Sequence, residues 1–413
     1  MRPTNGRAVI LTPVLISVAL SAVLFAAREP DLKRLWQIHV TQGYAGAPQK
    51  SVIPVSIWAL AFSPDGRSLA FAAGFIESSK PKASSSSTVA YKSVEYPFKS
   101  YVFVVDSRQP EVSKKRFEIQ MPPYLNRPTM IWSPNGDSIA FQSVSLLDHE
   151  HEIHLLRTSE GIERSVDVGT CNLKDLLDGF RLVAECSNTK DGKTYMRFFS
   201  ADGSVEREVE MPGVGSIKAI DASSGRLVLD KAGPRTADQT VAPHEMILVG
   251  PDGLEEHRWA LPAAEWYDGV FAESGKRFCV VSRVPVVSRS NPELTCWSVA
   301  TGERLSHLIV HYRVSLDGIR AGGLRIALPE ADVHPVPKVL QRLAETSFYY
   351  SNHRRVIYDL QAGKKLAEWE IQMQHLLPKP ATAVISAYPY SIAPDGNTIA
   401  EGGEGVITLY QLQ

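Results

Sequence analysis

One motif recurs along this chain and restricts what it can fold into: a β-prone run, a Pro-Asp-Gly or Pro-Asn-Gly turn, and a second β-prone run. It reads WALAFSPDGRSLAFAAG over 58–74, TMIWSPNGDSIAFQSV over 129–144 and YSIAPDGNTIAEG over 390–402. The glycine supplies a positive backbone φ and the Asp or Asn side chain bonds to nearby backbone, so each copy is a hairpin. Degenerate copies lie between them: 172–186 turning at Asp178-Gly179, 216–229 at Ser224-Gly225, 266–281 at Ser274-Gly275, and a weaker one over 312–328 turning near Ala321-Gly322. Anchored at Asp65, Asn135, Asp178, Ser224, Ser274, Ala321 and Asp395, the turns are 70, 43, 46, 50, 47 and 74 residues apart. The four short intervals match the roughly 40–50 residues of a four-stranded propeller blade, and the two long ones call for insertions.

A second series of turns interleaves with the first, at Asp106-Ser107, Glu160-Gly161, Asp202-Gly203, Asp252-Gly253, Thr301-Gly302 and Ala362-Gly363. Two hairpins per repeat make four strands. The seventh repeat lacks its second turn, because the chain ends after a third strand at 406–412. The run KRLWQIHV at 33–40 resembles the fourth strand of the sixth repeat, KLAEWEIQ at 365–372, and is expected to supply the missing strand. Closure of this kind removes the exposed sheet edges of an open array. The expected fold is therefore all-β: a seven-bladed β-propeller over 31–413, its last blade closed by an N-terminal strand, with insertions at about 75–100 and 330–347.

The turns Ser63-Pro64-Asp65-Gly66, Ser133-Pro134-Asn135-Gly136 and Ala393-Pro394-Asp395-Gly396 resemble the WD40-like (PD40-like) repeats of bacterial propellers, including the TolB type. Trp297-Ser298-Val299-Ala300-Thr301-Gly302 and Tyr358-Asp359-Leu360-Gln361-Ala362-Gly363 resemble the third-strand-and-turn signature of WD40 repeats. The Gly-His dipeptide that opens typical WD40 repeats is absent, and so is Trp-Asp. The resemblance implies a fold and a general interaction role, and no particular reaction.

Arg2 and Arg7 precede an apolar stretch over 8–27, which as a helix would span about 30 Å, enough to cross a bilayer core. Residues 1–30 are thus expected to be a membrane anchor or a removed signal peptide; Phe25 or Leu24 three back from the candidate cleavage points fits a signal poorly. Among the cysteines, counting outward from Asp178-Gly179 sets Cys171 opposite Cys186, within reach of a disulfide. Cys279 and Cys296 sit on the next plausible strand pair of their own repeat. Two bridges and four buried thiols are both compatible with this placement; bridges, together with the leader, would mean an extracytoplasmic protein, periplasmic or secreted. The 44 Lys+Arg against 45 Asp+Glu leave a formal charge of −1, which offers no broad attraction for phosphates, so nucleic acid is not an expected partner.

Candidate sites are few. The Ser-rich stretch at 75–100 carries Tyr91, Tyr96, Phe98 and Tyr101, which reads either as a linker or as a partner-binding arm whose aromatics become buried on contact. Val339, Leu340, Leu343 and Ala344 in the second insertion have helical spacing. The cluster from Asp148 through His149, Glu150, His151 and Glu152 to His154 lacks the spacing of a helical zinc site and reads as a solvated turn between strands. Nucleophile-elbow, phosphate-loop and dinucleotide motifs are absent. Polar residues expected on first strands, facing the channel, are Lys174, Asp175, Lys218, Asp221, Asp268 and Arg313, a set of mixed sign. The expected function is a non-catalytic, extracytoplasmic protein-binding or scaffolding module without metal or cofactor. The alternative is a metal-dependent hydrolase or lyase with its site in the central channel.

Overall fold

A computed structural model describes residues 32–40, 56–76, 98–111, 113–119, 129–144, 151–187, 193–211, 215–234, 242–283, 292–310, 319–335, 348–370, 389–403 and 405–413. They form seven four-stranded antiparallel sheets. Blade 1 holds β2 (Ser56–Phe62), β3 (Ser68–Ile76), β4 (Phe98–Asp106) and β5 (Ser113–Ile119). Blade 2 holds β6 (Thr129–Trp132), β7 (Ser138–Val144), β8 (His151–Arg157) and β9 (Ile162–Asp167). Blade 3 holds β10 (Cys171–Leu177), β11 (Arg181–Ser187), β12 (Thr194–Phe199) and β13 (Val205–Glu210). Blade 4 holds β14 (Gly215–Asp221), β15 (Arg226–Ala232), β16 (Ala242–Val249) and β17 (Glu255–Ala264). Blade 5 holds β18 (Trp266–Ala272), β19 (Arg277–Arg283), β20 (Glu293–Ser298) and β21 (Arg304–Ile309). Blade 6 holds β22 (Arg320–Gly322), β23 (Arg325–Pro335), β24 (Phe348–Asp359) and β25 (Lys364–Glu370). Blade 7 takes β26 (Tyr390–Ile392), β27 (Thr398–Gly402) and β28 (Val406–Leu412), and its fourth strand is β1 (Leu32–His39).

The fold is the expected seven-bladed β-propeller, closed as expected by the N-terminal strand. β1 runs antiparallel to β28, with Leu32 opposite Leu412 and His39 opposite Val406. The innermost strands touch in sequence around the ring, and β26 touches β2 to complete it. The turns work as their sequence dictates. Ser63 Oγ donates to Asp65 Oδ1 at 2.6 Å while Asp65 accepts from the Arg67 amide, and Gly66 takes φ 70°. Ser133, Asn135 and Gly136 repeat the arrangement in blade 2.

Neighbouring blades are joined by buried apolar side chains and by long side chains of the fourth strands that reach the next blade. Trp36 Nε1 donates to the Ser107 carbonyl at 2.8 Å, Lys115 Nζ to Ser159 at 2.7 Å, an Arg164 guanidinium nitrogen to Ala201 at 2.7 Å, and Trp259 Nε1 to Gly302 at 2.8 Å. Each acceptor lies in the turn between third and fourth strands of the following blade, so one bond pattern ties four of the seven junctions.

Three local expectations shift. The blade 6 turn falls at Gly323-Leu324, after Gly322, because β22 continues through Gly322 and Gly323 takes the positive φ. The insertions are shorter than expected: β3 runs to Ile76 and β4 starts at Phe98, while β23 and β24 extend their pairing to Pro335 opposite Phe348. What remains, 77–97 and 336–347, lies outside the described residues, as do the residues of the expected helix and the leader. The turn between β10 and β11 takes three residues, 178–180, where two were counted. A bulge between Leu173 and Asp175 restores the register, so Cys171 still faces Cys186.

Candidate functional site

Both cysteine pairs are bonded. Cys171–Cys186 joins the first two strands of blade 3, with Cα atoms 4.1 Å apart, and Cys279–Cys296 joins the middle strands of blade 5 at 4.0 Å. All four sulfur-bearing side chains are buried.

The inner-strand polar residues become legible once the bulges are known. Lys174 in β10 and Lys218 in β14 occupy the same extra position of neighbouring blades. Each meets a carboxylate on the second strand of its own blade: Lys174 Nζ lies 3.0 Å from Glu185, and Lys218 Nζ 3.1 Å from Asp230. Glu185 also accepts the Ile217 amide of blade 4 at 2.9 Å, and Lys174 donates to the Ile217 carbonyl at 3.3 Å. Gln142 performs the same task one blade earlier. Its side-chain nitrogen donates to the Cys171 carbonyl and its oxygen accepts the Leu173 amide, both at 2.7 Å. Gln142, Lys174 and Glu185 thus pair with the backbone of the adjoining inner strand, which stiffens the ring and satisfies buried polar groups.

Asp230 continues the chain outward. Its other oxygen lies 2.6 Å from His244 Nδ1, and His244 Nε2 is 3.3 Å from the Ala264 carbonyl. Burial alone would push the Asp230 carboxyl up; the bond from His244 and the Lys218 charge outweigh it and hold it below the usual range. Tyr267 of blade 5 packs edge-on against His244 and donates to the Pro262 carbonyl at 2.8 Å.

Asp175 behaves differently. It is buried beside the Asp221 carboxylate and accepts a bond from the Leu176 amide, and burial pushes its pKa up to about 7. Asp221 is held by the hydroxyls of Ser223 and Ser224, both at 2.6 Å, and lies where a side chain on Gly275 would have to go. Asp268 is half-buried on β18, and Arg313 lies outside the described residues. Among the described residues, no three His, Cys, Asp or Glu side chains gather as a metal site.

Two expectations require correction. The histidine cluster does not form a solvated turn throughout, because His151–Arg157 is strand β8 and His154 is buried, 3.8 Å from Glu152. Asp148, His149 and Glu150 lie outside the described residues. Tyr101 is not displayed to a partner: it is 3% exposed, packs against Phe75 at 5.6 Å and Phe103 at 5.9 Å, and carries the Arg116 guanidinium over its ring at 5.3 Å. The reason is that it sits three residues inside β4, with its side chain turned toward the apolar core. Phe98 opens the same strand, while Tyr91 and Tyr96 lie outside the described residues.

A second polar cluster, between blades 6 and 7, escaped the sequence reading. Arg355 is 2% exposed and lies 4.2 Å over the Tyr390 ring. Glu401 is 3.8 Å from Arg355 and accepts from Trp369 Nε1 at 2.9 Å. Glu330 accepts from the Tyr358 hydroxyl at 2.8 Å; burial and then this carboxylate push the phenol up. Its signal was charge within apolar strand runs, in RIALPE, RRVIYD and TIAEG. Exposed apolar side chains were also missed: Leu35, Val205, Leu254, Leu305 and Ile309, all on fourth strands or the turns entering them.

The β-propeller domain of the Trilobed protease from Pyrococcus furiosus is similar in structure, with a TM-score of 0.50 and 13% identity over 87% of this chain and 98% of that one. That domain is described as having an open velcro topology, whereas here β1 pairs with β28. The C-terminal WD40 domain of Sif2 matches at TM-score 0.47 and 11% identity, over 94% of this chain and 100% of that one. The sequence matches no family model and no curated protein. At such identities the likeness concerns the β-propeller fold alone.

Proposed function

We propose that this chain is a non-catalytic WD40-like propeller of the TolB type that binds or scaffolds protein partners outside the cytoplasmic membrane. Residues 1–30 would anchor it there or deliver it. The observation that supports this reading is how the interior polar groups are used. Gln142, Lys174, Glu185, Lys218, Asp230 and His244 are engaged in bonds within and between blades, which makes a stiff ring. The connections between second and third strands, and between successive blades, leave from the end of the ring opposite the tight turns. A rigid frame with long connections grouped at one end suits recognition by surface complementarity. Two disulfides support an oxidising compartment.

The test is cross-linked affinity capture from native membranes, comparing the full chain with a variant whose 77–97 connection is replaced by a short linker. A defined protein partner held by the first and lost by the second, with melting unchanged, is the expected outcome. The competing reading, a cation-dependent hydrolase or lyase, would have to recruit Asp175 and Asp221. Divalent-cation binding abolished by Asp175→Asn, together with turnover, would replace the binding role.

A further inference from the structure

Each blade ends in a fourth strand whose outer edge has no neighbour within its sheet. Such edges invite pairing with other chains, and charged side chains are a common defence. Charges run along several of these edges, with Lys115 and Arg116 in β5, Arg164 and Asp167 in β9, Glu206 to Glu208 and Glu210 in β13, and Lys364, Lys365 and Glu368 in β25, while β1 and β17 gather theirs at one end, at Lys33 and Arg34 and at Glu255, Glu256 and Arg258. Among the described fourth strands, β21 is the one that sets two exposed large apolar side chains on its edge: after Arg304 it reads Leu-Ser-His-Leu-Ile, with Leu305 46% and Ile309 63% exposed and His307 exposed between them.

We propose that β21 is a self-pairing edge through which two copies of this chain join their blade 5 sheets. The backbone is set for it. Val310 N–H donates to the Pro292 carbonyl, so the alternation of an antiparallel ladder turns the N–H and C=O of His307 and Ile309 away from β20. The bulge at Leu305 closes the free segment at its other end. A two-fold axis through His307 places His307 against His307 of the second copy with both backbone bonds made. It also brings Leu305 opposite Ile309 on the same face, an isologous arrangement. The apolar pairs favour this edge: Leu305 and Ile309 cover each other across the axis, whereas the same operation on β13 about Glu208 sets Glu206 against Glu210 and Glu208 against itself. The inference stands apart from the binding role above.

A seam of five residues is small beside a standard interface of about 1,600 Å², so a covalent trap reads it best. Directly paired strand positions lie within disulfide reach. Full-length His307→Cys under mild oxidation is expected to run mostly as a dimer on non-reducing gels and to revert with reductant. Glu208→Cys on the charged edge stays monomeric. Adding Ile309→Lys to His307→Cys lowers the linked fraction several-fold. The Leu305→Cys/Ile309→Cys double variant, which faces itself in the same register, gives an independent reading should His307→Cys fold poorly. Linkage of His307→Cys no greater than that of Glu208→Cys, or capture of a different protein with no homodimer, overturns the proposal.

Discussion

Blade 1 and blade 4 have the same four-stranded plan and hold it by different chemistry. The face of blade 1 toward blade 7 is a continuous apolar block in which Phe71 stacks on Phe103 at 5.0 Å, Phe75 and Tyr101 pack beside them, and Ile38 and Val40 seal it from blade 7. Blade 4 sets Lys218, Asp230 and His244 inside the sheet and meets blade 3 through Glu185 and Asp175. The contrast teaches that blade geometry is indifferent to what fills the junction, provided volume is filled and every polar group is bonded. It also predicts different responses: the aromatic sector yields to loss of volume, the polar sector to loss of a partner or to pH.

The largest effect is expected from removing 32–40, which takes the closing strand and the seal of the aromatic sector together. Cooperative melting should be lost, a deficit comparable with the whole 5–15 kcal/mol of a typical domain. An unchanged calorimetric transition would break the comparison at its root. Next, Phe103→Ala should cost about 3–5 kcal/mol in urea titration, equally at pH 5 and pH 8. Asp175 sharpens the other side. Its folded pKa, raised by burial to about 7, exceeds its ordinary 3.8, so the folded state holds the proton more tightly. Its contribution is full below about pH 4, falls as pH rises toward 7 and stays low above it. Asp175→Asn should therefore stabilise the protein above pH 7, by up to about 4 kcal/mol, and flatten that slope in pH-dependent denaturation. A variant that keeps the parent's slope assigns the pH response elsewhere.

Replacing Cys171 and Cys186 together by Ala should lower stability by about 3 kcal/mol, the value for a loop of this size, seen as a lower urea midpoint. The smallest change is expected at Ser63→Ala, which removes the turn bonds to Asp65 and Ser68 and costs about 1 kcal/mol in the same titration. A loss much larger than that would mean that the turns, rather than the junctions, limit stability.

How much could be read beforehand follows the range of each interaction. Ser63, Asp65 and Gly66 settle their hairpin within six residues, and so announce it wherever the motif recurs. The Cys171–Cys186 register was legible because turn and bulge offset each other by one residue. Tyr101 was misplaced because aromatic content alone does not say which side of a strand is buried. Lys174 and Lys218 were visible as inner-strand charges, yet their partners Glu185 and Asp230 emerge only when strands are paired and the bulge turns each lysine onto the right face.

The amino-acid order on its own determined the number of blades, the strand that closes the ring and the cysteine partners, because turn chemistry and hairpin counting act over short stretches of chain. Only the tertiary structure decided which polar groups the blade junctions absorb, which aromatics are core, and that Leu305 and Ile309 stay exposed on the edge of β21. Those outcomes depend on which faces of different blades meet. Contacts such as Trp36 with Ser107 or Arg355 with Tyr390 join residues that no local pattern relates, and burial sets their energy by excluding water from both partners at once.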